Sequence, residues 1–108
     1  MNMTFKNWNI EAITGYKPKT TFYMDFSIAD KFGEGAIKDT YNRAFKAWKG
    51  NTEYFTELVM VLNWKIFEHI ETNKHYANIY QDLYFEADQY AQTNLTGDDL
   101  AYYYRTID

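Results

Sequence analysis

Residues 51–73, NTEYFTELVMVLNWKIFEHIETN, decide the fold. Stepped at about 100° per residue, the helical period, this stretch puts Tyr54, Phe55, Leu58, Val59, Val61, Leu62, Ile66 and Ile70 on one broad apolar face. Met60, Trp64 and Phe67, at i, i+4 and i+7, make a second stripe. Glu57 and Glu68 separate the two faces on one side, Thr56 and Asn63 on the other. A helix apolar on two sides must bury both. It does so as the central helix of a monomer, or by meeting a second copy of the chain through Met60, Trp64 and Phe67. The central-helix arrangement is the one expected.

On either side of this segment the chain reads as further helices. Over 35–49, Ile37, Tyr41, Ala44, Phe45 and Trp48 share about a quarter of a helix circumference, Gly50 follows as a stop, and Asn51 or Thr52 caps the next helix. Over 74–93, Tyr76, Ile79, Tyr80, Leu83, Tyr84, Ala87, Tyr90 and Ala91 lie on one side, and Phe85 points the other way among Asn78, Asp82 and Gln89. Thr96, with Asp99 three residues later, resembles a capping box and predicts a last short helix over 100–105. Residues 22–32 predict a short helix with Asp25 as N-cap and Gly33 as a left-handed stop. The N-terminal segment, with Phe5, Trp8, Ile10 and Ile13 as anchors and the only proline in the connector 15–21, reads as irregular or as a short strand. The connections are short, so neighbouring helices run antiparallel. The expected architecture is all-α: one compact domain of four to five helices around a central hydrophobic helix at about 51–72.

Composition sets limits on function. At 108 residues the chain fits one domain, and its 20% aromatic content, eleven Tyr, eight Phe and three Trp, supplies a core of large apolar area. The absence of cysteine excludes disulfides, thiol catalysis and cysteine-ligated zinc. Residues 1–10 lack the basic and apolar regions of a signal peptide, so a cytoplasmic location is expected. The longest apolar run, Leu58 to Leu62, is far shorter than the roughly 20 residues of a membrane span, so no membrane partner is expected. The net charge of −4 is unevenly placed: residues 1–50 hold eight bases against five acids, residues 75–108 one base against six acids.

Several constellations bear on chemistry. Residues 26–33, FSIADKFG, look like the first helix and turn of a helix-turn-helix, followed by a helix whose outer face carries Lys38, Asn42, Arg43, Lys46 and Lys49. The lysines and Arg43 would meet phosphates, and Asn42 or Arg43 base edges. That motif buries an aliphatic side chain six positions after the glycine; here the position is Asp39, and the chain is net acidic. His69 and His75 are the only histidines, and Glu71 stands four before His75, but Thr72 and Asn73 interrupt the helix between them and no further ligands follow. Ser27, the only serine, lies outside any nucleophile-elbow pattern, and none of the five glycines sits in a phosphate-binding loop. No catalytic, cofactor-binding or metal-binding residue is therefore assigned. Surplus aromatics and acids point instead to contact with a protein, through Phe85, Asp98, Asp99, Tyr102, Tyr103 and Tyr104.

The segments 15–22 (GYKPKTTF), 25–33 (DFSIADKFG), 39–41 (DTY) and 56–64 (TELVMVLNW) give the chain a resemblance to small proteins encoded by bacterial phages and related mobile elements. The resemblance covers most of the chain and carries over no site residue. It implies an accessory protein that binds a host or phage protein, such as a defence nuclease. The expected function is non-enzymatic protein–protein binding by a monomer or homodimer. A helix-turn-helix-like DNA-binding module using residues 26–49 and a virion assembly component are the alternatives.

Overall fold

The computed structural model describes residues 19–107, and over that range the protein is all-α, with five helices and no strand. They are α1 (Lys19–Asp30), α2 (Glu34–Trp48), α3 (Thr52–His69), α4 (Lys74–Asn94) and α5 (Gly97–Ile107). The readings of residues 1–18, including a strand and the anchors Phe5, Trp8, Ile10 and Ile13, lie outside the described residues.

Local chemistry explains most helix ends. The side chain of Asn51 accepts from the Tyr54 N–H at 3.1 Å, starting α3 one residue after the expected cap. Asn73 repeats this for α4, accepting from the Tyr76 N–H at 3.1 Å. Gly33, at φ 109°, is the N-cap of α2, a backbone conformation that favours glycine. Its N–H donates to the Ala29 carbonyl at 3.1 Å, closing α1 and opening α2 at one residue. Gly50 ends α2 without a positive φ: the Asn51 N–H donates to the Trp48 carbonyl at 2.9 Å instead. Asp25 is not a cap. α1 begins six residues earlier, and Asp25 is an interior helical position only 1% exposed.

The core gathers one face from each helix. Phe22 and Phe26 of α1, Ile37 and Tyr41 of α2, Phe55, Leu58 and Leu62 of α3, Tyr80 and Ala87 of α4, and Tyr103 of α5 form one cluster. Each fully buried large apolar side chain contributes about 1.5–3 kcal/mol. Aromatic edges and faces organise the centre: Phe45 stands edge-on to Tyr90 at 4.9 Å between centroids, and Trp48 to Tyr54 at 4.5 Å. The longest pairing is α3 against α4, and α1, α2 and α5 also pack on α3, so α3 is the central helix as expected.

Its two faces are nevertheless not both buried. All six residues from Tyr54 to Val59, Thr56 and Glu57 included, are buried. Beyond them the cover is one-sided: Met60 is half-buried, while Trp64 and Phe67 are exposed. Ile70, placed on the main apolar face by periodicity, is also exposed; it is the C-cap residue, beyond the last helical turn.

Candidate functional site: an apolar ridge and a buried charged hub

Trp64, Phe67 and Ile70 follow one another at i, i+3 and i+6, so each lies beside the next along the outside of α3. They are 42%, 66% and 42% exposed. Single exposed apolar residues are ordinary; three large neighbours in a row form a patch that water does not favour.

On the opposite side of the same turns sits a group that the sequence reading missed. Lys65 is fully buried. Its ammonium donates to Asp30 Oδ2 of α1 at 2.7 Å, to Glu68 Oε2 at 2.9 Å and to Ser27 Oγ of α1 at 3.2 Å. The rings of Tyr23 and Tyr80 stand 5.0 and 5.8 Å from it. A buried ammonium is costly unless paired and hydrogen-bonded, and here all three donors are used and two aromatic rings face the charge. Asp30 is the second node: Tyr80 donates its hydroxyl to Oδ1, and His69 presents Nε2 to Oδ2 at 2.9 Å. The His69 ring lies parallel to that of Tyr80 at 5.7 Å. Tyr23 donates its hydroxyl to Glu68. This hub therefore ties α1 to α3 and α4 by charge where the apolar core ends.

Ionisation follows from these contacts. Burial, reinforced by the Asp30 carboxylate, pushes the Tyr80 hydroxyl far above the ordinary tyrosine value. The hydrogen bond to Glu68, with some burial, raises that of Tyr23. Burial works against the Glu68 carboxylate, yet hydrogen bonds from Tyr23 and Lys65 hold it below the usual range.

Two chemistries suggested by this cluster do not fit its geometry. Asp30, Glu68 and His69 bring one ligand atom each within 4.8 Å of one another, a spacing that can hold a metal ion. The Lys65 ammonium, however, already stands between the two carboxylates and repels a second cation. Ser27 and Lys65 resemble a serine–lysine pair, but an ammonium that donates to two carboxylates has no lone pair with which to take the serine proton. His75 takes no part, lying on the surface 3.1 Å from Glu34.

The residues expected to contact a partner divide among three environments. Asp98, Asp99 and Tyr102 come together, lining with Thr52, Glu53 and Arg105 a shallow cleft of about 500 Å³ between the start of α3 and α5. Tyr104 and Phe85 are exposed elsewhere. Tyr103 is inside: it is fully buried and donates its hydroxyl to Asp88 at 2.6 Å, so it belongs to the core. Asp98 and Asp99 occupy the first turn of α5, where carboxylates complement the helix dipole without any ligand.

The five residues of the alternative nucleic-acid face, Lys38, Asn42, Arg43, Lys46 and Lys49, are all exposed along α2. Two are matched on the same helix: Lys38 pairs with Glu34 at 2.8 Å and Arg43 with Asp39 at 3.3 Å. These pairs reduce the positive field that phosphate binding requires. Among the described residues no helix is long and apolar enough to cross a membrane. Comparison with protein-family models, with curated proteins and with solved structures gives no match.

Proposed function

We propose that this chain is a non-enzymatic binding protein of a phage or related mobile element. It acts by docking the outer ridge of α3 onto another protein, such as a component of a host defence system. The observation that carries this reading is the exposure of Trp64, Phe67 and Ile70 in consecutive turns. Burying a large apolar side chain at an interface stabilises a complex by about 1.5–3 kcal/mol. Tryptophan is also among the residues most enriched where binding energy concentrates. The hub on the inner side supports the reading, because Lys65 pairs with Asp30 and so anchors the same turns of α3 to α1.

The test is capture from nuclease-treated bacterial lysate with the tagged chain and with a Trp64→Ala, Phe67→Ala double variant as bait. A protein retained by the first and lost by the second is the expected result. Recovery of the same proteins by both would overturn the ridge, and turnover of nucleotide, nucleic acid or peptide by the pure chain would overturn the non-enzymatic reading. Dimers of the wild-type chain that dissociate in the double variant would turn the reading to self-association and assembly.

A further inference from the structure

We draw no further inference here: the strongest candidate, the apolar ridge of Trp64, Phe67 and Ile70 along the outer side of α3, already carries the proposed function, and nothing in the structure shows what covers it.

Discussion

On the inner side of the last turns of α3 a lysine is sealed from water at 0% exposure, while on the outer side Phe67 stands 66% exposed. The two are two residues apart. The contrast shows what decides burial in so small a fold. Lys65 lies three residues after Leu62 and four after Val61, so its backbone position faces α1 and α4, and the carboxylates of Asp30 and Glu68 make the buried charge tolerable. Phe67 and Trp64 project from the other side of the helix, 66% and 42% exposed. A lysine inside contributes to stability only through its partners, whereas a phenylalanine outside costs the monomer little and remains available to another surface.

Measurements that break or sharpen this contrast can be ranked by size. Lys65→Met keeps the apolar stem of the side chain but leaves the largely buried Asp30 without its cation beside the 38% exposed Glu68, and should cost about 3 kcal/mol in denaturant unfolding, the low end for breaking a buried pair. A loss below about 1 kcal/mol would mean that Asp30, like the part-exposed Glu68, is solvated once the ammonium is gone. Adding Asp30→Asn should recover part of the loss, giving a clearly non-additive cycle. Tyr80→Phe removes the hydroxyl donated to Asp30, and a drop of about 2 kcal/mol is expected. Asn51→Ala, which removes the α3 cap far from both regions, should cost about 1 kcal/mol and serves as the ordinary-scale reference. Phe67→Ala should shift stability by no more than about 0.5 kcal/mol while abolishing partner capture. A large stability loss at Phe67 would show that the ridge is part of the fold.

The pH dependence probes the same region. Tyr80 and Tyr23 in the hub, and Tyr41 and Tyr103 in the core, have hydroxyls raised above their unfolded value, chiefly by burial except at Tyr23, where the Glu68 hydrogen bond leads. The folded state therefore holds these protons more tightly than the unfolded chain. Their contribution is fully present below pH of about 10, the unfolded tyrosine value, and is lost as pH rises past it. Tyrosinate absorbance should consequently lag free tyrosine and then rise together with loss of helical circular dichroism. Tyr80→Phe should flatten that alkaline loss; an unchanged profile would place the sensitivity at Tyr23, Tyr41 and Tyr103. Glu68 has the opposite sign, its contribution being present above the unfolded carboxylate value of about 4.3 and lost as pH falls through its lower folded value.

Much of the helical framework was legible from local pattern. The expected helix over 35–49 is Glu34–Trp48, and the expected helix over 74–93 is Lys74–Asn94, because caps and a 3.6-residue apolar period act within one turn and need no tertiary partner. The candidate site was only partly legible. The second stripe was visible as Met60, Trp64 and Phe67, but that Met60 would be half-buried and Trp64 and Phe67 exposed was not, since periodicity says which residues share a side and not what packs there. Lys65 had a signal that went unread: a lone base three and four residues after Leu62 and Val61, on the apolar side of its own helix. Tyr103, read as a surface residue from its neighbours Tyr102 and Tyr104, is buried because α5 turns that one position onto Phe55, at 6.2 Å between ring centroids.

By itself the sequence determined that residues 34–107 form four helices and which residues share a face on each, although the last runs Gly97–Ile107 rather than 100–105 and the central one ends at His69 rather than near 72. Only the tertiary structure decided which of α3's two apolar sides is covered, and that Ser27 and Asp30 of α1 would meet Lys65 of α3, 38 residues from Ser27. The reason is range: capping and periodicity act over three or four residues, whereas the burial of a charge depends on partners brought together by the packing of separate helices.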